Sequence, residues 1–342
     1  MTMTPRQRIM AAVNLEEPDK VPFADWIDPG IRKTLAARFG DENMDDLEFH
    51  RRLGCDAICY AEGDYIAPQF CEKIIDEKGV EHLQSEGLIK TPDDMDKFIL
   101  PDVTAPGYFD KAKRYMDTYG KSDLAVFGSM RTGMMNTIFS MGLTEFSMAL
   151  FQNLAFVEEM FDRYIEWNIR VAEGLTDAGF DFLVCYDDIA FNTGPIIPLP
   201  IFREVFVSRM KKFAATLKLP WIYHSCGNVG KAWDDIMDFG MNGFNPFQPD
   251  VNDIFEYKKN YGDRLCIWGN VDIRYTLTQG TVEESIEETR DKISRLAPGG
   301  GFILATSNSI TDYCKVENVL AMMETKEKYG TYPIVPASEA VA

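Results

Sequence analysis

The sequence has few histidines, few basic residues relative to acidic ones, and no long apolar run. Its 342 residues include 3 His, and 35 Lys and Arg against 54 Asp and Glu, which gives a formal net charge of −19. Such a charge disfavours nucleic acid or an anionic membrane surface as the main partner. No apolar stretch is long enough to span a bilayer, and the first residues lack the pattern of a signal or transit peptide. We therefore expect a cytoplasmic protein.

Two common functional motifs are also missing. The glycines of residues 298–301 precede a predicted strand instead of linking a strand to a helix, which is the wrong order for a dinucleotide site. No Gly-x-Ser-x-Gly elbow occurs, so a hydrolase of that kind has little support. The 7 cysteines are odd in number and scattered, which suits reduced thiols better than a disulfide framework. They are free to be core residues or metal ligands.

Eight short apolar runs recur along the chain, and most are separated by stretches with helical periodicity. This alternation favours a (β/α)8 TIM barrel over a doubly wound sheet. The predicted strands are residues 21–24, 57–60, 124–128, 182–186, 221–223, 243–245, 265–269 and 302–305. The predicted helices cover about 155–178, 200–217, 229–239, 281–296 and 316–329.

Residues 61–101 interrupt this alternation. Lys78 and Gly79 lie between two short runs, a pattern typical of a hairpin turn. We interpret the segment as a hairpin inserted after the second strand. The rest of residues 1–330 is expected to form one barrel domain, followed by a loose tail over residues 331–342.

His224 and Cys226 follow the fifth predicted strand, at a spacing that places both on the same side of the chain. Imidazole and thiolate are ligands that zinc uses. A strand-end histidine beside a buried thiol is the alternative, because reliable zinc signatures have three or four ligands. Cys314, just before the last helix, is the first choice for a third ligand. A cysteine at a helix start without any metal is the alternative there.

Other polar residues follow the strands, and in this barrel class function lies at the carboxyl ends of strands. Asp187 and Asp188 are candidate catalytic residues after the fourth strand. Neighbouring residues point to different sides, so at most one of them should face the barrel mouth while the other caps or pairs nearby. After the third strand, Arg131 is a candidate for binding an anionic substrate group, and Met134 and Met135 either line an apolar pocket or pack in the core.

Two asparagines follow the last two predicted strands. Asn270 comes after the seventh and Asn308 after the eighth. Amide side chains in such positions either hydrogen-bond a ligand or close turns. We include both among the candidate substrate-binding residues.

Several motifs occur in an order that is specific for one superfamily. They are the sequences at residues 187–190, 194–195, 224–228, 269–272 and 300–304, together with Glu17-Pro18-Asp19-Lys20-Val21-Pro22 near the start. With these motifs, nearly the whole chain resembles the uroporphyrinogen decarboxylase superfamily. The resemblance implies a (β/α)8 barrel that is either a decarboxylase or a corrinoid-linked methyltransferase.

The resemblance is closer to the methyltransferases. The decarboxylases carry an arginine-rich segment near the N-terminus that binds the acidic substrate, whereas residues 23–30 are acidic here and would repel it. The methyltransferases hold zinc with a His-x-Cys that matches His224 and Cys226, plus a later cysteine. Asn308 stands where the coenzyme M methyltransferases have that cysteine, and the nearest thiol is Cys314. Either Cys314 or an oxygen ligand completes the site, or the metal is weak or lost.

This departure favours the branch that demethylates methoxylated aromatics over a coenzyme M enzyme. The resemblance then implies zinc as a Lewis acid on the ether oxygen, with a corrinoid carried by a partner protein as methyl acceptor. Asp187 or Asp188 would supply a proton to the departing oxygen, and Trp26 with the methionines would hold the ring. If the substrate is instead a thiol, zinc would ionise it. A uroporphyrinogen decarboxylase and a non-catalytic barrel that binds a corrinoid protein are the alternatives.

Overall fold

The structure is a computed structural model that describes residues 2–61, 65–75 and 81–334. Seven parallel strands form its main sheet, in the order β1-β4-β5-β8-β9-β10-β11, and the other strands form two antiparallel pairs. The strands are β1 (Ala57–Tyr60), β2 (Cys71–Ile75), β3 (Glu81–Gly87), β4 (Ala125–Arg131), β5 (Phe182–Tyr186), β6 (Ala190–Phe191), β7 (Gly194–Pro195), β8 (Trp221–His224), β9 (Gly243–Asn245), β10 (Cys266–Trp268) and β11 (Phe302–Ile303). The sheet is curled, and the TIM-barrel prediction is confirmed.

The first predicted strand, residues 21–24, closes the ring between β11 and β1 without forming a regular ladder. Phe23 makes an isolated parallel bridge with Leu304, and its carbonyl accepts the Asp56 N–H at 2.7 Å. Pro22 has no N–H, and the Phe23 N–H bonds to the Asp56 carboxylate at 2.9 Å instead of a strand carbonyl. A side chain thus replaces a backbone acceptor at the point of closure.

Helices follow most strands of the sheet and cover its outside. They are α1 (Pro5–Val13), α2 (Pro29–Arg38), α3 (Asp46–Leu53), α4 (Asp110–Tyr119), α5 (Met134–Met141), α6 (Leu143–Gln152), α7 (Leu154–Ala178), α8 (Leu199–Ile201), α9 (Ser208–Ala214), α10 (Trp233–Met237), α11 (Ile254–Tyr261), α12 (Val282–Leu296) and α13 (Val316–Tyr329). Helices α7, α12 and α13 match their predicted ranges. Thr281 and Glu284 form the capping box of α12.

Two predicted helices are less regular than expected. The helix predicted over residues 200–217 is formed by α8 and α9 with the π-helical stretch Phe202–Val207 between them, and it ends at Ala214. The helix predicted over residues 229–239 starts as the 3₁₀ turn Gly230–Ala232 and continues as the short α10. No helix within the described ranges is both long and apolar enough to cross a membrane.

The predicted hairpin after the second barrel strand is present. Strands β2 and β3 pair antiparallel, and their turn at residues 76–80 lies outside the described residues. The hairpin packs on α5, where a Cβ at Gly87 would lie 2.2 Å from the Met141 carbonyl carbon. At the other end of the chain, Thr331 pairs with Lys20, and the Tyr332 hydroxyl donates to the Ala297 carbonyl at 2.8 Å. Residues 335–342 of the predicted tail are not among the described residues.

Large apolar side chains fill the inside of the barrel. Phe127, Phe182 and Trp268 pack there as buried aromatic rings, and α1 contributes further apolar side chains to the same cluster. The Trp268 indole N–H donates to the Ala24 carbonyl at 2.9 Å. Trp26 stacks on Trp268 with ring centroids 5.6 Å apart and planes 10° apart. This aromatic layer supports the residues at the carboxyl ends of the strands.

Candidate metal and active site

Three potential metal ligands meet at the carboxyl ends of β5 and β8. One ligand atom each from Asp188, His224 and Cys226 lies within 4.8 Å of the other two. The His224 Nε2 atom is 3.7 Å from the Cys226 Sγ atom. Strands β5 and β8 are direct neighbours in the sheet, which brings the carboxylate next to the His-x-Cys pair. A nitrogen, a sulfur and an oxygen donor in one place match the ligands that zinc uses.

The ring of His224 is oriented by Asn245, at the end of the neighbouring strand β9. The His224 Nδ1 atom is hydrogen-bonded to Asn245 Oδ1. The Asn245 Nδ2 group donates to the Trp268 carbonyl at 3.1 Å, so the amide oxygen must face the ring. Nδ1 therefore carries the proton, and the Nε2 lone pair is directed to the side of Cys226. Burial lowers the pKa of His224, which keeps the imidazole neutral.

The loop that carries Cys226 is fixed by backbone hydrogen bonds. The Cys226 N–H donates to Asp188 Oδ1 at 2.7 Å, and the Gly227 N–H donates to Gln248 Oε1 at 2.9 Å. Gly227 has a φ of +83°, and a Cβ there would lie 2.1 Å from the Ala190 carbonyl oxygen. Only glycine fits this position without moving the loop.

The sulfur of Cys226 lies in a desolvated and partly negative environment. Burial raises the pKa of the Cys226 thiol to about 12, and the charge of Asp188 acts in the same direction. The Asn308 Nδ2 group, 3.2 Å from Sγ, opposes this rise by donating a hydrogen bond. Without a cation the sulfur is therefore a thiol, and a bound metal ion would displace its proton.

Asp187 and Asp188 have different environments, as expected for neighbouring residues at a strand end. Asp187 is fully buried and accepts the N–H groups of Gly133 at 2.7 Å, Met134 at 3.0 Å and Met135 at 2.9 Å. It thereby caps the start of α5. Burial raises the pKa of Asp187, and these donors counter the rise. The predicted catalytic role does not suit Asp187, whereas Asp188 is in the ligand cluster.

A cavity of about 240 Å³ lies beside the cluster. Of the predicted substrate-binding residues, Trp26 and Asn308 line it. The Trp26 and His224 rings make an edge contact with centroids 5.7 Å apart. The other lining residues are Ala61, Ser129, Tyr186, His224 and Ser309. The predicted anion-binding Arg131 is not among the residues that line the cavity, and its guanidinium carbon lies 4.7 Å from the Tyr186 ring centroid.

Tyr186 and Asn245 were not among the predicted site residues, although both end strands. Arg131 pairs with Tyr186, Tyr186 with His224, and His224 with Asn245, so the four residues form one row across β4, β5, β8 and β9. A search for polar residues at the last position of each predicted strand would have included both.

Four predicted site residues lie elsewhere. Cys314 is buried with Thr311 Oγ1 3.6 Å from its Sγ, and among the described residues it is not part of the ligand cluster. The structure therefore brings Asp188, and not Cys314, next to His224 and Cys226, which fits the alternative that an oxygen ligand completes the site. Met134 is buried in the helical core, and Met135 packs against it. Asn270 is fully buried and donates to the Phe247 carbonyl.

Comparisons with known proteins agree with this architecture. Residues 49–329 match the family Uroporphyrinogen decarboxylase (URO-D). Methylcobamide:CoM methyltransferase MtaA of Methanosarcina barkeri is 28% identical over 173 residues, which are 50% of this chain and 49% of that protein. Methylated-thiol–coenzyme M methyltransferase of Methanosarcina mazei is 25% identical over 182 residues, which are 49% of this chain and 47% of that protein. The chain thus spans about half the length of the curated relatives it matches.

A solved structure described as a methyltransferase from Methanosarcina mazei has the same fold. It superposes with a TM-score of 0.74 over 96% of this chain and 99% of that chain, at 21% sequence identity. The family match covers the barrel from the middle of α3 to the end of α13. On this evidence the protein belongs to the uroporphyrinogen decarboxylase (URO-D) family.

Proposed function

We propose that the protein is a methyltransferase that moves a methyl group between a small molecule in the cavity and the corrinoid of a partner protein. The observation that carries this proposal is the cluster of Asp188, His224 and Cys226 at the edge of an aromatic cavity. The names of the related methyltransferases, which act on methylcobamide or methylated thiols, support the same class of reaction.

Zinc is the metal ion that we propose for the cluster. His224 Nε2, Cys226 Sγ and a carboxylate oxygen of Asp188 would hold it, and Asp188 is the oxygen ligand in the place that we had expected Cys314 to fill. This set combines one neutral and two anionic ligands, which suits a divalent cation. When bound, zinc would supply a Lewis acid that stabilises charge on the atom from which a methyl group departs.

The cavity favours a methoxylated aromatic compound as the methyl donor. Trp26 and Tyr186 present aromatic surfaces to a flat ring, and a volume of about 240 Å³ suits a single-ring molecule. The reaction would then be an O-demethylation.

A thiol is the second candidate substrate. Its support comes from the related proteins, both of which are named for methyl transfer to coenzyme M. In that reaction the cluster would bind the thiol as a thiolate.

A porphyrinogen fits the cavity less well. None of the seven side chains that line the cavity is Lys or Arg, so nothing in its wall would neutralise the many carboxylates of such a substrate. A decarboxylase and a non-catalytic barrel that binds a corrinoid protein are therefore the outcomes that the assays below must exclude.

Exposed aromatic side chains near the barrel mouth favour a protein partner there. Phe191, Tyr275 and Tyr313 follow β5, β10 and β11, and they are 50%, 51% and 83% exposed. Aromatic residues are enriched in protein interfaces. We propose that the corrinoid protein binds over this mouth, since the methyl group must pass between the cavity and the corrinoid.

The experiment is a methyl-transfer assay with the zinc-loaded protein. Cobalt(I) cobalamin is offered to a panel of methoxyaromatics, methanol and methylamines, and methylcobalamin is offered to thiols, with the cobalamin spectrum as the readout. We expect methylcobalamin to form from a methoxyaromatic. Release of carbon dioxide from a porphyrinogen without added metal would instead identify a decarboxylase, and no transfer in either direction would contradict the proposal.

A further inference from the structure

We propose that Asn308 makes the cavity selective for methyl groups carried on oxygen over those carried on sulfur. It would donate one N–H to the Cys226 sulfur and the other to the oxygen from which the methyl group departs. The inference rests on methyl transfer as the proposed function, and it adds the class of substrate.

The orientation of the Asn308 amide is fixed by its neighbours. The Ser309 hydroxyl donates to Asn308 Oδ1 at 3.3 Å, and Asn308 Nδ2 donates to Cys226 Sγ at 3.2 Å. An amide nitrogen has two N–H donors, and the bond to Cys226 uses one of them. Asn308 lines the cavity, so we assign the second donor to a ligand there.

The loop that carries Asn308 is connected to Trp26 through a buried carboxyl group. Asp25 accepts the Thr306 N–H at 2.7 Å and the Trp26 N–H at 2.9 Å, and its side chain is 3% exposed. The asparagine and the aromatic face of Trp26 are thus held at a fixed separation on opposite segments of the cavity wall. A donor held in this way can stabilise developing charge without rearranging.

The two classes of methyl donor differ in how strongly the departing atom accepts a hydrogen bond from Asn308. When an O–CH3 bond breaks, its electron pair stays on oxygen, and the methyl carbon forms a bond with the electron pair of cobalt(I) in the partner's corrinoid. The departing oxygen carries negative charge on a small atom, accepts the Asn308 N–H and later takes a proton from solvent. A departing thiolate spreads the same charge over a larger atom and is a weaker hydrogen-bond acceptor.

A matched pair of donors tests this inference. Methoxybenzene and methylthiobenzene differ only in the atom that carries the methyl group, and both are offered with cobalt(I) cobalamin. In Asn308→Ala we expect kcat for methoxybenzene to fall by about 100-fold, the effect typical of one lost oxyanion donor. KM, and kcat for methylthiobenzene, should change by less than about threefold, since Asn308 is used mainly in the transition state.

Asn260→Ala is the matched control, because Asn260 is an exposed residue on α11 that does not line the cavity. This substitution should leave kcat and KM unchanged for both methyl donors. An equal loss with both donors in Asn308→Ala, or no loss with either, would overturn the inference.

Two further measurements do not depend on turnover. In the cobalt(II)-substituted protein, Asn308→Ala should shift the sulfur-to-cobalt absorption band to lower energy, because Cys226 no longer shares a lone pair with an N–H. In calorimetry, phenol should bind the zinc-loaded variant about tenfold more weakly than the wild type, while thiophenol binds both alike. Unchanged phenol binding would overturn the inference even if methyl transfer is found. Weaker phenol binding without transfer from any donor would support the hydrogen bond from Asn308 to oxygen and contradict the proposed function.

Discussion

The orientation of single side chains decides whether the cluster at the barrel mouth can bind a metal ion. His224 offers Nε2 to that side because Asn245 accepts from Nδ1, and Asn245 is itself held by the Trp268 carbonyl. The ligand geometry thus depends on a residue that does not touch the metal.

Asn245→Ala should lower the affinity for zinc by roughly 10–100-fold, as is typical for a lost outer-shell partner of a histidine ligand. The ring of His224 would be free to rotate and to use the other tautomer. Competition with a chromophoric chelator measures the affinity, and Asn260→Ala again serves as the control. An affinity equal to that of the wild type would show that Asn245 does not orient the ring.

Asp25 should make the stability of the protein depend on pH. Burial raises the pKa of Asp25 to about 7, although the hydrogen bonds from Thr306 and Trp26 act to lower it. An exposed Asp has a pKa of about 4. Between these values the folded protein holds a proton that the unfolded chain has released. Folding is therefore favoured below this window, and stability declines as the pH rises through it.

Urea denaturation at pH 5 and pH 8 measures this effect. The free energy of unfolding of the wild type should fall between the two by about 2.5 kcal/mol from this group alone. Asp25→Asn loses one hydrogen-bond acceptor and the titrating carboxyl group. Its free energy of unfolding should therefore fall less between the two pH values. The same fall in both proteins would assign the pH dependence to other groups.

At the scale of secondary-structure elements, the ends of β4, β5, β8 and β9 position the site. His224 and Cys226 were predictable because a strand has a period of two, and the different roles of Asp187 and Asp188 follow from the same period. The residues that contact these four side chains were not predictable. Asn245 orients His224 only because β9 pairs with β8, and such pairing across the sheet is not encoded by any local pattern.

Asp187 and Asp188 provide a matched pair of substitutions at one strand end. Asp187→Asn removes a charged cap from α5, where four backbone N–H groups converge on one carboxylate, and should lower the free energy of unfolding by about 3 kcal/mol. Asp188→Asn should leave stability within about 1 kcal/mol and instead reduce zinc binding.

Two measurements on both variants separate the two roles. Thermal unfolding, monitored by circular dichroism, reports stability, and a zinc titration reports metal binding. The opposite pattern would reverse the assignments, with zinc binding lost in Asp187→Asn and stability lost in Asp188→Asn.

At the scale of the whole molecule, a buried group of charges helps to close the barrel. Arg8 on α1 pairs with Asp19 at 2.7 Å and with Asp56, which precedes β1. Lys326 on α13 lies 3.7 Å from Asp56, and the side chains of Asp56 and Lys326 are 2% and 3% exposed. Asp56 also accepts the Phe23 N–H, so the group connects both ends of the chain to the last segment of the ring.

Arg8→Met should destabilise the protein by about 3–5 kcal/mol, because Asp19 and the buried Asp56 lose their shared partner. Lys211→Met, which removes an exposed ion pair with Asp238, is the control and should change stability by less than about 1 kcal/mol. Urea denaturation measures both, and equal effects would show that the buried group does not stabilise the closed barrel.

The barrel itself was predictable from the alternation of eight apolar runs with helical segments. The irregular closure at residues 21–24 was not, because it depends on the carboxylate of Asp56 taking the place of a backbone acceptor. The position of Cys314 was also not predictable, since a cysteine near a helix start can turn either to the barrel mouth or into the packed interior, and here it is buried beside Thr311.

The most direct test of the proposed site is to measure zinc content and methylcobalamin formation in the same preparations of wild type, Cys226→Ser and Cys314→Ser. The wild type and Cys314→Ser should hold close to one zinc per chain and transfer methyl groups from a methoxyaromatic donor to cobalt(I) cobalamin. Cys226→Ser should lose both properties while remaining folded. Full zinc content and activity in Cys226→Ser, or their loss in Cys314→Ser alone, would contradict the assignment of the site to Asp188, His224 and Cys226.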